Sequence, residues 1–473
     1  MTTKQLYLDG FSHHLHGSAS RSRALCLEKA SSKPSGLARL AGRFFPKKLL
    51  SLPPIVKNAK GKDIKPRNRI FTLPVIFWAF LAQVLTRNAA CRDALAGVQA
   101  SRAAQRKAPP ADDTGAYCKA RQRLPLAILR NIFNAVGAWI DQRCDGQLPL
   151  LNNRVVRVID GTGASMPDTK QNRAKWPYAG NQKKGCGFPV IKLVGLFCLR
   201  SGRMIKHTFA SWKQSEHTLA RQLVGWVKKG EVLLADCGFC GWGLIALFQR
   251  KGVDVVMRTH HRRKAKAGIH TWKKPRRTSA WGKTLWRELP EQLRMRVITF
   301  NVNIKGWRTK RVSLCTTLLD AETYPDEAII ELYLRRWRIE LFYRDIKVTL
   351  GLDVLRCKTP AMVEKEILMQ AIAYNLVRAL MLEAAMTHGV SLDRLSFKGT
   401  VSRMREWARC MNQNAERATR RMLDELLQAI ADDPVPLRAH RSEPRAVKRR
   451  PKSYQLLTKP RHKMVVSQSR RKK

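Results

Sequence analysis

The stretch Val155-Val-Arg-Val-Ile-Asp-Gly-Thr162 decides the fold. Five residues dominated by β-branched side chains run straight into an aspartate and a glycine, which is the composition of a strand ending in a turn. Four runs of the same kind follow: VIKLVGLFCL from Val190 to Leu199, RMIKHTF from Arg203 to Phe209, EVLLA from Glu231 to Ala235, and VDVVMR from Val253 to Arg258. Amphipathic helical segments, Glu216 to Lys228 and Trp242 to Lys251, separate the later ones. The sequence therefore predicts three strands, a helix, a strand, a helix and a strand.

That order is similar to a ribonuclease-H-like α/β domain, an analogy that ranks the fold without supplying the chemistry. Outward from it, the apolar spacing turns helical. Ile70 to Ala100 and Tyr117 to Gln142 predict an α-helical N-terminal region, and residues 391–433 predict a helical C-terminal one. Residues 262–322 interrupt the core with Trp272, Trp281, Trp286 and Trp307 among many Lys and Arg, and RMRVITFNVN (Arg294 to Asn303) alternates as a strand does. This segment reads as an inserted β-rich subdomain. Pro325 and Asp326 open a helix through about Leu350, ended by Gly351, and an apolar helix from Met362 to Met386 should pack on the sheet. The expected division is 1–150, helical; 151–261, core, first part; 262–322, insertion; 323–390, core, second part; 391–433, helical; and 434–473, a basic disordered tail.

Charge bounds the partners. The 473 residues hold 90 Lys and Arg against 35 Asp and Glu, a formal net charge of +55, with 44% hydrophobic residues. The apolar fraction excludes disorder throughout, and an ordinary metabolic enzyme has no use for such a field. Its natural partner is a polyanion, because each phosphate neutralised releases condensed counterions. The excess is not confined to the tail: residues 262–311 carry 16 Lys and Arg against Glu288 and Glu291.

The N-terminus lacks the basic start and apolar run of a secretory signal. Ile70 to Leu85, read as the most hydrophobic stretch, is shorter than the roughly 20 apolar residues of a spanning helix, so no membrane partner is expected. Eleven cysteines, scattered singly apart from Cys237-Gly-Phe-Cys240, do not make a disulfide framework and fit a reducing cytoplasm. Cys237 and Cys240 have the spacing of half a zinc site without a second half nearby, so packing is the simpler reading.

In a chain this poor in acids, a carboxylate ending an apolar strand is costly to place without a compensating ligand. Asp160 and Asp236 both do so, each followed within two residues by glycine. Either alone would serve equally as a turn residue. Together, on adjacent strands, their repulsion asks for a divalent cation such as Mg²⁺, which favours a few carboxylates, water and phosphate oxygens. The helix from Asp326 adds Tyr333, Arg336, Glu340 and Lys347, which at about 100° per residue fall within a stripe roughly 60° to 100° wide. Taken alone such a face would be a solvated one. Asp345 falls about 140° from Glu340, outside the stripe.

The spacing Tyr333-x2-Arg336-x3-Glu340-x6-Lys347, after Asp160-Gly-Thr162 and Ala235-Asp-Cys-Gly-Phe239, resembles the signature of DDE transposases of the insertion sequence 4 family, the YREK type. The similarity spans roughly Ile70 to Met386, and Cys237 departs from it by standing where a basic residue is expected. The resemblance implies that Asp160, Asp236 and Glu340 hold two divalent ions, Mg²⁺ or Mn²⁺, for cleavage and strand transfer. It implies that Tyr333, Arg336 and Lys347 grip phosphates of DNA. Further implications are terminal inverted repeats and target DNA as partners, a homodimer in the synaptic complex, and a bacterial, nucleoid-associated location in the cytoplasm. One of Trp272, Trp281, Trp286 and Trp307 would stack on a flipped base, although core packing is the ordinary fate of each. A catalytically inactive DNA-binding relic and a metal-dependent nuclease on the same fold are the competing readings.

Overall fold

The computed structural model describes residues 35–51, 70–144, 151–178, 185–260, 266–302, 311–411 and 416–436. Five helices come first: α1 (Gly36–Ala41), α2 (Leu73–Leu85), α3 (Cys91–Ala104), α4 (Gly115–Arg123) and α5 (Leu126–Cys144). Then β1 (Val156–Ser165), α6 (Lys170–Lys175), β2 (Val190–Cys198), β3 (Met204–Ser211), α7 (Glu216–Arg221), β4 (Val232–Ala235), α8 (Trp242–Arg250) and β5 (Asp254–Arg258) build the core. Next come β6 (Gly268–Lys273), α9 (Lys283–Arg287), β7 (Gln292–Asn301) and β8 (Arg311–Thr316). The chain continues through α10 (Asp326–Leu334), α11 (Arg338–Arg344), α12 (Pro360–His388), α13 (Phe397–Met411) and α14 (Glu416–Ala431). The architecture is α/β, as the alternation of strand-like and helical runs predicts.

The described strands form one sheet in the order β3-β2-β1-β4-β5-β8-β7-β6. β1, β4 and β5 are parallel, while β2 and β3 run antiparallel to their neighbours. One expectation is corrected here. The three strands of the basic segment do not make a subdomain of their own, because β8 pairs with β5 and β7 and β6 follow outward, extending the core sheet. The reason lies in β5, whose Val255, Val256 and Met257 are fully buried. A free edge there would leave backbone amides and carbonyls without partners away from water, and β8 supplies them.

Each face of the sheet carries its own core. On one face Val156, Val158, Val232, Leu234 and Val256 join a large cluster with α2, α5 and α10 through α14. On the other, Ile159, Leu233, Ala235, Val255 and Met257 pack against α7, α8 and α9. Alternation along each strand produces this division. The N-terminal and C-terminal helices thus share one core with the sheet.

Helix α12 is the element that the hydropathy of Ile70 to Leu85 overshadowed in the sequence. Thr359 caps its start by accepting from the Met362 amide at 3.4 Å, Pro360 occupies the first turn, and Gly389 closes it at φ +63°. It is apolar around its whole circumference, and among the described residues it alone is long and apolar enough to cross a membrane. Its side chains are nevertheless buried between α5, α14 and the sheet, which is what an all-round apolar helix does in a large core.

The helix expected from Asp326 to about Leu350 changes winding twice. A 3₁₀ turn at Arg335–Trp337 separates α10 from α11, and a π turn at Asp345–Thr349 follows, with the Leu350 amide donating to the Asp345 carbonyl at 3.2 Å. Gly351, at φ +87°, ends it.

Candidate active site

Register brings the two aspartates together. β1 and β4 pair in parallel with Val158 opposite Leu234, so Asp160 and Asp236, two residues further on, take matching places on the same face. β4 and β5 pair with Ala235 opposite Met257, which sets Arg258 level with Asp236. On the other side Asp160 pairs with Gly195, and Gly195 with His207. Asp160 is not at the end of its strand, as expected, because β1 continues to Ser165 against β2. Its pairing with β4 ends at Val158, and the acid sits where the two strands part. Crevices of that kind, beyond the carboxyl end of a parallel strand, are where α/β sheets place ligands.

The carboxylates are held by local backbone. Asp160 accepts from the Gly161 amide at 2.8 Å, and Asp236 accepts from the Gly238 amide at 2.8 Å. Burial pushes the pKa of Asp160 up to about 6; the Gly161 amide opposes this, Asp236 reinforces it, Arg336 opposes it and Glu216 reinforces it. That electrostatic neighbourhood fixes who faces the acid.

Tyr333 and Arg336 are both buried, and their guanidinium-to-ring distance is 5.5 Å. Burial raises the Tyr333 pKa to about 12 against the pull of Arg336 and Arg258, with Asp236 also acting on it. The Tyr333 hydroxyl and Nε of Arg336 are buried atoms without a hydrogen bond of normal geometry. Lys347 lies further along and donates to the Thr162 hydroxyl at 3.0 Å. Four of the six residues marked in the sequence, Asp160, Asp236, Tyr333 and Arg336, therefore share one electrostatic neighbourhood, and Lys347 borders it through Thr162.

Glu340 stands apart from that group. It is exposed on α11, one turn before Tyr343, and makes no ion pair among the described residues. Among the described residues, moreover, no three His, Cys, Asp or Glu side chains are grouped closely enough to hold one metal ion. Asp345 faces Arg378 and Arg344, outside the site as its angular offset predicts.

Three residues at the site went unmarked in the sequence. The Tyr343 hydroxyl donates to the Asp160 carbonyl oxygen at 2.6 Å and accepts from the Gly195 amide at 2.9 Å. Arg258 donates to the Cys237 sulfur at 3.3 Å, supplying a guanidinium beside the position where the resemblance led to a basic residue. Glu216 rests against Gly161: a Cβ built on that glycine would lie 2.5 Å from its Oε1.

The remaining candidates resolve differently. Trp281 and Trp286 are buried in the second core, 5.3 Å apart between ring centres, and Trp272 packs against it. Trp307 lies outside the described residues. The exposed tryptophans named by the structure are Trp212 and Trp226, each with a lysine ammonium over its ring, Lys192 at 4.9 Å and Lys206 at 4.1 Å. Cys240 lies beside Cys315, sulfur to sulfur 3.4 Å, while Cys237 turns to Arg258. The Cys-x-x-Cys spacing therefore does not form a metal half-site.

The chain is similar in sequence to known proteins. The sequence profile of the transposase DDE domain matches residues 152–376. Transposase InsG for insertion sequence element IS4, from Escherichia coli (strain K12), is 28% identical over 415 residues, covering 84% of this chain and 89% of that protein. A cryo-EM structure of the piggyBac transposase synaptic complex with hairpin DNA superposes with a TM-score of 0.41 at 11% identity, covering 88% of this chain and 86% of that one. The family profile and the relative of nearly full length converge with the residue signature: the chain is similar to DDE transposases, among them the transposase of an insertion sequence element IS4.

Proposed function

We propose that this chain is a DDE transposase of the insertion sequence 4 family that cuts DNA at the terminal inverted repeats of its element and joins those ends to a target, with Asp160, Asp236 and Glu340 as its catalytic acids. The observation that carries the reading is the register of β1, β4 and β5, which sets Asp160, Asp236 and Arg258 level on the face covered by the Tyr333–Lys347 helical stretch. Strand order β3-β2-β1-β4-β5, with the first two antiparallel and the rest parallel, supports reading the core as ribonuclease-H-like.

The donor chemistry fits hard divalent cations. Asp160 and Asp236 offer carboxylate oxygens, one atom of each held by a backbone amide, and their mutual repulsion at Asp160 is opposed by Arg336. Two Mg²⁺ or Mn²⁺ ions, when bound, would supply Lewis-acid activation of the attacking oxygen and charge neutralisation at the leaving one. The side chains supply the rest. Asp160 and Asp236 hold one side of the site from the sheet, and Glu340, exposed on α11, closes it from the helix once DNA is present. Arg336 and Lys347 take phosphate oxygens, Arg by its planar fork and Lys as a point charge, with Tyr333 beside them.

Residues 1–150 contribute DNA end binding, 151–261 and 323–390 the catalytic core, 262–322 its basic sheet extension, 391–433 a helical support and 434–473 a nonspecific DNA anchor. The active species is a homodimer in the synaptic complex, and the protein works in the bacterial cytoplasm, at the nucleoid. The test is incubation of the full chain with a labelled terminal repeat and Mg²⁺ or Mn²⁺. Cleavage and joining by the wild type, lost in Asp160→Asn, Asp236→Asn and Glu340→Gln with end binding retained, support the reading. Binding with no cleavage in either metal would mark an inactive relic, and cleaved ends that never join would mark a nuclease.

A further inference from the structure

The Cys-x-x-Cys spacing that makes no metal half-site still puts sulfur at both ends of the turn after Asp236. Ala235 pairs with Met257 and Met257 with Cys315, a level row across β4, β5 and β8 just before the row that holds Asp236 and Arg258. After Asp236 the chain turns back, the Phe239 amide donating to the Asp236 carbonyl at 3.2 Å, and Cys240 joins this row in the second core. The Cys240 and Cys315 sulfurs meet there at 3.4 Å. Both side chains are buried, and Cys240, at 6% exposure against 0% for Cys315, is the more accessible. Covalent closure from 3.4 Å to the roughly 2.05 Å of a disulfide draws the sulfurs together by about 1.4 Å. Cys315 lies in a strand paired on both sides, so the turn is the part that yields. Its movement reaches the acid directly, because the Gly238 amide also donates to the Asp236 carboxylate at 2.8 Å. A misplacement of about 1 Å in a catalytic site is enough to cost on the order of a hundredfold in rate.

We propose that Cys240 and Cys315 form a reversible dithiol–disulfide switch whose oxidation displaces Asp236 and stops DNA cleavage. The oxidant class is a peroxide, small enough to reach side chains of such low exposure. The Cys240 thiol takes one peroxide oxygen to become a sulfenic acid, and one water is released. The Cys315 sulfur then attacks the Cys240 sulfur; the S–S bond forms, and the sulfenic hydroxyl leaves with the Cys315 proton as a second water. Two electrons pass from the two thiols to the peroxide, and a dithiol reductant returns them by exchange. The link to cleavage rests on the proposed function, whereas the covalent step does not.

The experiment treats the full-length wild type, Cys240→Ser, Cys315→Ser and Cys237→Ser with hydrogen peroxide, blocks the remaining thiols with N-ethylmaleimide and maps unreduced digests by mass spectrometry. Each protein is also assayed for cleavage of a labelled terminal repeat in Mg²⁺, relative to its own untreated sample, before and after dithiothreitol. The wild type and Cys237→Ser should form a cross-link between residues 240 and 315 and lose cleavage by about tenfold or more, restored by dithiothreitol. Cys240→Ser and Cys315→Ser should form no cross-link and resist the treatment. Melting temperatures of the untreated proteins identify any variant that merely unfolds. Absence of the cross-link at peroxide doses that oxidise the exposed Cys410 would overturn the switch. So would a sensitivity that vanishes in Cys237→Ser, or a cross-link that leaves cleavage intact. An untreated wild type that cuts nothing would refute the proposed function by itself, with the cross-link still decided by its mass.

Discussion

The Tyr343 hydroxyl donates to the carbonyl oxygen of Asp160 at 2.6 Å, and the hydroxyl oxygen itself accepts from the Gly195 amide at 2.9 Å. One side chain of α11 is thereby bonded to two strands, at the residue pair that contains the first aspartate. Four residues on, Lys347 meets Thr162, two residues on along β1. About 6 Å of helix rise thus matches roughly 6.6 Å of strand, so the helix runs alongside β1 in the same direction. Glu340, one turn before Tyr343 on the same helix and without an ion pair among the described residues, is positioned through this bond.

Tyr343→Phe tests that coupling. The substitution leaves the ring among Phe197 and its neighbours but strands a buried carbonyl and a buried amide. Unfolding in urea should show a loss of about 1–3 kcal/mol. Cleavage should fall further than stability does, because the helix is no longer registered to Asp160. A variant with unaltered urea midpoint and cleavage would mean the bond orders nothing.

Beneath the aspartates, Arg157 and Glu231 form a buried pair joining β1 to the segment before β4, with contacts of 2.6 and 3.1 Å. Glu231 also accepts from the Lys228 amide at 3.0 Å. Removing one partner isolates a charge in the core, so Glu231→Ala should cost about 3–5 kcal/mol. The double replacement Arg157→Met with Glu231→Leu should recover much of that loss. Calorimetric unfolding of the single and double variants decides it, and equal destabilisation in both would show that burial of the charges is not the cost.

How much of this was legible depended on whether the cause was local. The five core strands announce themselves in Val155–Ile159 and its counterparts because apolar, β-branched runs need no distant partner to be recognised, and two of the five end in Asp-Gly or Asp-x-Gly. Asp160 and Asp236 were found for the same reason. Arg258 was missed because its place beside Asp236 is a consequence of β4–β5 register, a pairing between residues 20 positions apart or more that no local pattern encodes. Glu216 was read as a helix start, and its contact with Gly161 crosses from one layer to another. The basic segment was read as separate because its charge differs from the core, whereas backbone pairing with β5 is indifferent to side-chain charge. The even 100° spacing drawn through Tyr333 to Lys347 was an idealisation, as the 3₁₀ and π turns rotate its two ends relative to one another.

Asp345 gives a pH dependence of known sign. Burial, opposed by Arg378 and then Arg344, pushes its pKa up to about 6 from an ordinary 3.8. Below pH 4 it is protonated folded and unfolded, and costs nothing. Between pH 4 and 6 the unfolded chain gives up the proton first, so the stability contributed by this group falls as pH rises, and above 6 the penalty is complete. Asp345→Asn should therefore be nearly neutral at pH 4 and stabilising by about 1–3 kcal/mol at pH 7.5. Denaturant midpoints across that range check it, and a gain independent of pH would exclude the carboxylate's ionisation as the cause.

Arg336 poses the sharpest question about DNA. Its residue exposure is 6%, its guanidinium lies 5.5 Å from the rings of both Tyr333 and Trp337, and its Nε is without a hydrogen bond. A guanidinium so enclosed is either a structural plug between two aromatic rings or a preformed phosphate clamp, and salt separates the two. A clamp exchanges one phosphate contact for about one released counterion, so Arg336→Ala should weaken binding to the terminal repeat and reduce the slope of log affinity against log salt by about 1. Arg336→Lys should keep the slope, since the charge remains, while losing affinity with the planar fork. A plug would instead lower the melting temperature and leave the slope untouched. Fluorescence anisotropy at four or five salt concentrations, run beside melting curves on the same samples, distinguishes these outcomes because stability and counterion release are independent readouts of the one substitution.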